Sequence, residues 1–422
     1  MSNLLEELKW RGLLQNTTDE GRLSDALQKS ALTFYCGFDP TAASLHHGNL
    51  VQLILMRHLQ LAGHKPIVLV GGGTGLIGDP RKTAERVLND ESTVVEYAEG
   101  IRTQFARILD FGGDNATRIV NNFDWLSKLS AIGLLRDVGK YFRLSQMLAK
   151  EIVASRLNSE EGISYTEFSY QILQAYDFYQ LHKNYGVTLQ TGGSDQWGNL
   201  TAGLDFVRKK TGDEVHVMTT PLITKSDGTK FGKSEGGAVW LNENMMSPYA
   251  FYQFWLNTDD NDAVKFLKVF TFLSRDEIAE LEVSLQNEPH LREAQKTLAK
   301  EVTTLVHGEQ AYIGAVKASE ALFKGGDFSE LDAKTAESIA KELGAVEVQL
   351  GSSLIDAFIS AKLVGGKNEA MRAFKEGGLY VNNARLTDET EIVDGRVTVN
   401  GRFAFLRRGK KNIAVLEIEG VN

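Results

Sequence analysis

Short apolar runs alternate with longer stretches of helical periodicity over residues 31–218, and this alternation limits the folds that the chain can adopt. The short runs have the length and composition of buried strands and lie at 31–36, 66–70, 118–120, 187–190 and 215–218. Helical spacing of apolar residues extends over 50–61, 93–109, 165–185 and 196–210. Strands that alternate with helices form parallel sheets covered by helices. The sequence therefore predicts an α/β protein with a parallel sheet.

Chain length and a later change of pattern predict further domains. The 422 residues exceed the size at which a single hydrophobic core normally stops growing. From about residue 247 the pattern is helical alone, and an acidic stretch then precedes a compact C-terminal region. We expect an α/β domain at 1–224, a loop and linker at 225–246, a helical subdomain at 247–325, a linker at 326–350 and a small domain at 351–422.

Composition excludes several classes of protein. A hydrophobic content of 42% and a charged content of 24% are typical of globular chains. The single cysteine, Cys36, excludes an internal disulfide framework and a cysteine-cluster zinc site, and it favours a reducing compartment, so we expect a cytoplasmic protein. Acidic residues near the N-terminus do not suit a signal peptide, and no apolar run has the length of a membrane span. A net charge of -9 restricts any RNA contact to a local patch.

Two polar segments have the composition of phosphate-binding sites. His46-His47-Gly48-Asn49 lies near the start of the helix predicted at 50–61, where unpaired N–H groups and the helix dipole attract anions. A capped helix with incidental histidines is the alternative. Lys230-Phe231-Gly232-Lys233-Ser234 places two lysines around a glycine, as in a loop that neutralises charge on phosphates. A solvent-exposed basic loop is the alternative here.

Two glycine patterns suggest nucleotide sites of other kinds. Gly232-Lys233-Ser234 resembles the end of a P-loop, but the first glycine of that motif would fall at Asp227. Residues 73–78 match the G-x-G-x-x-G pattern of dinucleotide-binding proteins. Pro80 argues against that assignment, because the helix of the motif should already be running there. A flexible wall that places Asp79 in a pocket and a simple glycine turn are equally open.

Five segments occur in an order that is specific to one family. They are Tyr35-Cys36-Gly37-Phe38-Asp39-Pro40-Thr41, Gly75-Leu76-Ile77-Gly78-Asp79-Pro80, Tyr170-Gln171-Ile172-Leu173-Gln174-Ala175-Tyr176-Asp177, Gly192-Gly193-Ser194-Asp195-Gln196-Trp197 and the lysine segment. Their joint order, over nearly the whole chain, resembles that of bacterial tyrosyl-tRNA synthetases, which are class I aminoacyl-tRNA synthetases. The resemblance implies a Rossmann-like catalytic domain that binds tyrosine and ATP, an all-helical tRNA-binding subdomain and a small α+β S-four-like RNA-binding domain.

The resemblance also implies that the two phosphate segments form one site. His46-His47-Gly48-Asn49 occupies the family's His-Ile-Gly-His signature, and the lysine segment occupies its Lys-Met-Ser-Lys-Ser signature. Asn49 stands where the family signature has its second histidine. Asparagine keeps an N–H donor but does not titrate, so it can act only by hydrogen bonding. The implied catalytic residues are His46, Asn49, Lys230 and Lys233. ATP is implied as a Mg²⁺ complex, without a tightly bound metal site in the protein.

Two groups of binding residues follow from the same resemblance. The tyrosine-binding residues are Tyr35 and Asp177 at the phenol hydroxyl, Asp79, Tyr170 and Gln174 at the α-ammonium, and also Gln190 and Gln196. The ATP-binding residues are Cys36, Gly37, Asp39, His46, Gly48, Asn49, Gly193, Asp195, Lys230, Phe231, Lys233 and Ser234. The residue types in the first group suit tyrosine, because a buried phenol needs hydrogen-bond partners and an ammonium needs acids or acceptors. For Tyr35, Tyr170 and Tyr176 the alternative is a place in the core.

The C-terminal segment contains the predicted RNA contacts. Helices predicted at 354–363 and 368–374 precede a strand that runs into a turn at 378–383, an arrangement that resembles the S-four module. Basic side chains cluster without an intervening acid and can neutralise phosphates. They are Arg402, Arg407, Arg408, Lys410 and Lys411. A solvated basic edge is the alternative.

The resemblance implies a tyrosine–tRNA ligase that forms tyrosyl-adenylate and then charges tRNA. The implied partners are L-tyrosine, ATP, tRNA(Tyr) and a second copy of the chain in a homodimer, and no membrane is involved. A tryptophanyl relative is the nearest rival, which Tyr35 and Asp177 disfavour because they suit a phenol. An RNA-binding or scaffolding protein with a decayed site is the other rival, which the retention of Lys230 and Lys233 disfavours.

Overall fold

The computed structural model describes residues 3–80, 89–160, 162–229, 231–234, 237–409 and 412–419, without the side chains of Glu151, Lys233 and Ser234. Its strands are β1 Asn16–Thr17, β2 Thr33–Phe38, β3 Lys65–Val70, β4 Arg118–Asn121, β5 Val187–Gly193, β6 His216–Thr220, β7 Lys233–Ser234, β8 Gly237–Ala238, β9 Val346–Gln349, β10 Leu379–Val381, β11 Ala384–Arg385, β12 Phe403–Arg408 and β13 Asn412–Glu419.

The α-helices fall into a group that alternates with strands and a later, mainly helical group. The first group is α1 Leu4–Trp10, α2 Glu20–Lys29, α3 His47–Leu61, α4 Glu91–Phe105, α5 Phe123–Leu126, α6 Ala131–Gly133, α7 Leu144–Leu148, α8 Glu151–Leu157, α9 Tyr165–Tyr185 and α10 Trp197–Thr211. The second group is α11 Pro248–Leu256, α12 Asp260–Phe270, α13 Arg275–Asn287, α14 Glu293–His307, α15 Glu309–Lys324, α16 Ala333–Leu343, α17 Leu354–Ser360 and α18 Lys367–Lys375. Within the described parts of the chain, no helix is long and apolar enough to cross a membrane.

The chain forms two compact units. The first comprises Met1–Asn242 and Asp259–Ala294, and the second comprises Glu243–Thr258 and Gln295–Asn422. This division differs from the predicted segments, because α12 and α13 belong to the first unit whereas α11 and α15 belong to the second. Helical periodicity alone could not show this, because it identifies helices without showing what their apolar faces contact.

The first unit is built on a six-stranded sheet in the order β1-β6-β5-β2-β3-β4. All neighbouring strands are parallel except β1 and β6. From β2 the chain proceeds outward in one direction through β3 and β4, and from β5 in the other through β6, so the strand order reverses between β2 and β5. In sheets of this type, ligands bind beyond the carboxyl ends of the strands at such a reversal. The predicted α/β fold with a parallel sheet is confirmed.

Both ends of α9, the helix that precedes β5, follow local rules. The Ser164 side chain accepts the backbone N–H of Glu167 at the start of α9, and Gly186 ends this helix with a φ of 67°. A left-handed residue after the last turn is the usual role of glycine at a helix end. The helix predicted at 165–185 therefore has the bounds that the structure shows, because both of its ends are encoded locally.

The second unit contains a five-stranded sheet in the order β11-β10-β12-β13-β9. Successive residues of β12 point to opposite faces of the sheet, as the pleat requires. Ala404 and Leu406 pack in a core with residues of α17 and α18. Phe403 and Phe405 pack in another core with residues of α15 and α16.

The range 326–350, predicted as a linker, is folded in the structure. It contains α16 and strand β9, which pairs with β13 in parallel. Ala336, Ile339 and Ala340 of α16 are buried in the core beneath β12. The acidic, lysine-containing surface of α16 gave this stretch a linker-like composition, whereas its few buried positions are small or isolated in sequence.

Candidate active site

A cavity of about 570 Å³ lies at the carboxyl ends of the central strands of the first unit. Every predicted tyrosine-binding and ATP-binding residue whose side chain the structure describes lines it. These residues are Tyr35, Cys36, Gly37, Asp39, His46, Gly48, Asn49, Asp79, Tyr170, Gln174, Asp177, Gln190, Gly193, Asp195, Gln196 and Phe231. The predictions for Lys230 and for the side chains of Lys233 and Ser234 lie outside the described residues.

Backbone hydrogen bonds connect the histidine segment to the chain that follows the lysine segment. The N–H of His47 donates to the carbonyl of Val239 at 2.9 Å, and the N–H of Leu241 donates to the carbonyl of Leu45 at 2.9 Å. His46 and Trp240 form the antiparallel bridge between them. Residues 45–47 and 239–241 are therefore held side by side, although they are far apart in sequence.

The N-terminus of α3 is capped by a reciprocal pair of hydrogen bonds. The N–H of Gly48 donates to Nδ1 of His46 at 3.0 Å. The N–H of His46 donates to Oδ1 of Asn49 at 3.0 Å. Burial lowers the pKa of His46, so the ring is neutral at pH 7, and with Nδ1 as an acceptor its proton is on Nε2. His46 and Asn49 thus satisfy the helix start and retain N–H groups on their other atoms.

His47 packs against the lysine segment. Its ring contacts that of Phe231 at a centroid distance of 5.3 Å and an interplanar angle of 88°. Gly232 has a φ of 82°, and a Cβ atom there would overlap the His47 imidazole. Burial lowers the pKa of His47 to about 4. A neutral aromatic ring beside a glycine therefore fixes how closely these two segments approach.

The hydroxyl of Tyr35 is buried at one end of the cavity. This residue is 1% exposed, and its hydroxyl has no hydrogen-bond partner among the described residues. Oε1 of Gln190 is also buried without a described partner. Buried polar groups are usually paired, so orphaned groups in a cavity wall are suited to a polar ligand.

Asp177 is the buried acid at this end of the cavity. Its Oδ1 accepts from Nε1 of Trp125 at 2.7 Å, and its Oδ2 accepts from Nδ2 of Asn122 at 2.9 Å. Burial raises the pKa of Asp177 to about 7, although both hydrogen bonds act in the opposite direction. The carboxylate is therefore oriented by two donors and is partly protonated at neutral pH.

Two further carboxylates are fixed by hydrogen bonds elsewhere in the cavity. Asp39 accepts from the hydroxyl of Tyr170 at 2.6 Å and from that of Thr74 at 2.7 Å. Asp79 accepts from Nε2 of Gln196 at 2.8 Å. Because the Tyr170 hydroxyl donates its proton to Asp39, the same oxygen is left as an acceptor.

Sequence reasoning missed the side chains that orient these acids. Asn122 uses its whole amide, because it donates to Asp177 and Thr74 and accepts from the N–H of Gly73. A signal was available, since Asn121 and Asn122 directly follow a predicted strand, where parallel sheets place functional residues. Trp125 gave no such signal.

The structure gives the predicted RNA-binding arginines intramolecular partners. Arg402 is paired with Glu417 at 2.6 Å and with Glu337 at 3.3 Å. Arg407 donates to the carbonyls of residues 321 and 322, and Arg408 is paired with Glu369 at 2.7 Å. Lys410 and Lys411 lie outside the described residues.

Comparison with known proteins assigns both parts of the chain. Residues 27–324 match the family model of class I tRNA synthetases (W and Y), and residues 335–416 match the C-terminal domain of proteins like tyrosine–tRNA ligase SYY. A tyrosine–tRNA ligase of Streptomyces avermitilis is 53% identical over 421 residues, which cover 100% of each chain. One from Bifidobacterium longum is 53% identical and covers 99% of this chain and 97% of its own.

Solved structures agree with the sequence relatives. A C-terminally truncated mitochondrial tyrosyl-tRNA synthetase of Aspergillus nidulans superposes with a TM-score of 0.70 at 29% identity, over 76% of this chain and 95% of that one. The family match covers well over half of the sequence and includes the whole cavity. The chain belongs to the class I tRNA synthetase family of tryptophan and tyrosine enzymes.

Proposed function

We propose that this chain is a tyrosine–tRNA ligase. It activates L-tyrosine with ATP to tyrosyl-adenylate and pyrophosphate, and then transfers the tyrosyl group to the 3′ end of tRNA(Tyr). The observation that carries the choice of amino acid is the buried hydroxyl of Tyr35, which no described residue pairs, in the same cavity as the oriented carboxylate of Asp177. Relatives that are 53% identical over their full length and are named tyrosine–tRNA ligases support the same reaction.

Tyrosine is bound through its two polar ends. The phenol hydroxyl donates to Asp177 and accepts from Tyr35, which pairs a group that would otherwise be buried alone. The α-ammonium donates to Asp79, to the free lone pair of Tyr170 and to Gln174, with Gln190 and Gln196 completing the pocket. Phenylalanine would leave the polar groups at the phenol end unpaired, so it is bound less tightly.

The reaction forms no covalent intermediate with the enzyme. It depends instead on N–H donors and positive charges placed around the phosphates. A carboxylate oxygen of tyrosine attacks the α-phosphorus of ATP in line, and the bond to the bridging oxygen breaks as pyrophosphate leaves. Nε2–H of His46 and the amide N–H of Asn49 donate to phosphate oxygens on which charge develops. Lys230 and Lys233 neutralise the same charge, and Phe231 and Ser234 belong to their segment. Residues 36, 37, 39, 48, 193 and 195 contact the nucleotide.

Mg²⁺ arrives with ATP in this proposal. Among the residues that the structure describes, no three His, Cys, Asp or Glu side chains are grouped so as to hold a metal ion. Phosphate oxygens of ATP would supply ligands to the ion, and the ion would neutralise the departing pyrophosphate.

The remaining partners are tRNA(Tyr) and a second copy of the chain. Lys410 and Lys411, which follow β12 in the sequence, support an RNA contact, because basic residues neutralise phosphates. A homodimer is supported by an unusual density of exposed apolar side chains between residues 132 and 165. They are Ile132, Leu135, Leu144, Leu148, Leu157 and Tyr165. A cytoplasmic location is supported by the single, free Cys36.

ATP–pyrophosphate exchange tests the reaction and separates the rivals. We expect exchange with tyrosine and neither with tryptophan nor without an amino acid. Exchange with tryptophan alone would establish the tryptophanyl alternative, and no exchange with either would favour a decayed site.

A variant at Lys233 tests the proposed phosphate chemistry. Lys233→Ala should lower the rate of exchange by orders of magnitude, because it removes charge neutralisation in the transition state. The dissociation constant for tyrosine should stay near that of the wild type, since the substitution leaves the amino-acid pocket intact. A variant with a wild-type exchange rate would remove Lys233 from the catalytic residues.

A further inference from the structure

Lys150 lies next to the tyrosine pocket but does not line it. Its Nζ donates to Oδ1 of Asn199 at 3.0 Å. Its aliphatic stem passes over Gly198, where a Cβ atom would lie 3.0 Å from Cε of the lysine. Burial lowers the pKa of Lys150 to about 8, against the attraction of Asp79. The amine is therefore mostly protonated at pH 7 and can only donate hydrogen bonds.

Asn199 connects this ammonium to two residues of the pocket wall. Its Nδ2 donates to Oδ1 of Asp79 at 3.1 Å and to Oε1 of Gln196 at 2.9 Å. Gln196 in turn donates to the other oxygen of Asp79 at 2.8 Å. Asp79, Gln196 and Asn199 thus form a closed ring of hydrogen bonds, and Lys150 contacts this ring from outside.

The direction of the Asn199 amide decides whether the ring can exist. A side-chain amide can rotate by half a turn and exchange its oxygen with its nitrogen at almost no cost in shape. The rotated Asn199 would place a carbonyl oxygen against the carboxylate of Asp79 and against Oε1 of Gln196, so that two hydrogen bonds become repulsive contacts. A protonated Lys150 excludes this orientation, because an ammonium cannot accept a hydrogen bond from Nδ2.

We propose that Lys150 is a positioning residue for tyrosine, acting through Asn199 to orient Asp79 toward the α-ammonium of the substrate. The inference rests on the proposed function, in which Asp79 binds that ammonium. Direct electrostatics act in the opposite direction, because Lys150 and the substrate ammonium are both positive. Removal of Lys150 should therefore weaken tyrosine binding if Lys150 acts by orientation, and strengthen it if Lys150 acts only by charge repulsion.

The test uses the full-length protein with Lys150→Met, Lys150→Arg and Asn199→Ala. Lys183→Met is the matched control, because Lys183 is an exposed lysine in the last turn of α9. Two compounds serve as probes: L-tyrosine, and 3-(4-hydroxyphenyl)propionate, which keeps the phenol and the carboxylate but lacks the ammonium. The KM and kcat for tyrosine and the inhibition constant of the analogue are measured in ATP–pyrophosphate exchange.

Lys150→Met and Asn199→Ala should each raise the KM for tyrosine about tenfold, the effect of one hydrogen bond to a charged group. Their kcat and the inhibition constant of the analogue should stay within about twofold of the wild type, a difference of only a few tenths of a kcal/mol. Lys150→Arg should recover most of the affinity, because guanidinium also only donates.

Three outcomes would overturn the proposal. An unchanged or lower KM for tyrosine in Lys150→Met would show that orientation through Asn199 does not operate. An equal loss of affinity for tyrosine and for the analogue, in both Lys150→Met and Asn199→Ala, would show a general loss of structure. Failure of Lys150→Arg to recover any affinity would show that Lys150 does not orient Asn199 merely by being a group that can only donate hydrogen bonds. Failure of the wild type to exchange with tyrosine would instead contradict the proposed function itself.

Discussion

In the proposed function, recognition of the substrate hydroxyl depends most directly on Asp177. The carboxylate is buried, and Asn122 and Trp125 donate to its two oxygens. Burial nevertheless raises its pKa to about 7. Because the folded protein favours the protonated acid, Asp177 contributes most to stability below its ordinary pKa of 3.8, and this contribution is lost as the pH rises to about 7. Tyrosine binding has the opposite pH dependence, because a phenol that donates a hydrogen bond to Asp177 needs the ionised carboxylate.

The affinity for tyrosine should therefore increase as the pH rises from about 6 to about 8, by up to about tenfold, as the pKa of Asp177 is passed. The KM for tyrosine in pyrophosphate exchange gives this profile. Phenylalanine is the matched control, because it lacks the hydroxyl, and its weak binding should not improve over the same range. Asp177→Asn should bind tyrosine weakly at every pH. Parallel profiles for tyrosine and phenylalanine would exclude Asp177 as the hydroxyl acceptor.

At the scale of elements, the side chains at the N-terminus of α3 cap the helix and, in the proposed function, also bind phosphate. Oδ1 of Asn49 closes the helix start by accepting from His46, and its Nδ2 donates to none of the described residues. The replacement of a family histidine by asparagine is thus compatible with a capped helix and with a donor in the cavity. Capping and the proposed phosphate binding use different atoms of the Asn49 amide, so substitution can separate the two.

Asn49→Asp should keep the cap, because a carboxylate accepts from the His46 N–H, and should lose the donor. Exchange activity should fall strongly, since a negative charge then faces the phosphates, while the melting temperature is maintained. Asn49→Ala should lose both functions and lower the free energy of unfolding by about 1 kcal/mol. Thermal unfolding and exchange kinetics measure the two effects. Full activity in Asn49→Asp would show that no phosphate lies near this position.

At the scale of the whole molecule, the exposed apolar side chains at 132–165 predict self-association. Ile132 is 69% exposed and Leu135 is 59% exposed, within three residues of each other. The wild type should have the mass of two chains in light scattering, and the double variant Ile132→Asp/Leu135→Asp should have the mass of one. Leu61→Asp is the control, because Leu61 is exposed to 61% in another part of the chain and should leave the dimer intact. A monomeric wild type would refute the homodimer.

The basic C-terminal residues should differ in their importance for tRNA. Lys410→Ala/Lys411→Ala should raise the KM for tRNA and reduce the salt dependence of charging by a slope of about one to two, while tyrosine-dependent exchange stays unchanged. Arg402→Ala should have a smaller effect, because two glutamates already balance its charge. Charging assays over a series of salt concentrations measure both. An equal effect of all substitutions would contradict this ranking.

These substitutions are better tests than removal of residues 354–422. Phe328 stacks on Phe405 of β12 at a centroid distance of 4.1 Å, and β9 pairs with β13. Truncation would therefore expose the core beneath β12 as well as remove the basic residues. A loss of charging after truncation would not distinguish an absent RNA contact from an unfolded unit.

Most strands and helices of the α/β part, and the identities of the residues that line the cavity, could be predicted from the sequence. Strands and helices of the α/β part are encoded by local periodicity and by caps, as at Ser164 and Gly186, and the motif order predicted the residues that line the cavity. Local signals suffice there because a helix end or a buried strand depends on neighbouring residues.

The side chains that orient those residues could be identified only in the folded protein. Asn122, Trp125, Asn199 and Lys150 belong to no predicted motif, and each acts on a pocket residue directly or through a partner from a distant part of the chain. The folding of 326–350 likewise depends on β13, which follows much later in sequence. Packing brings such hydrogen-bond partners and strand neighbours together from distant parts of the chain, so local periodicity cannot predict them.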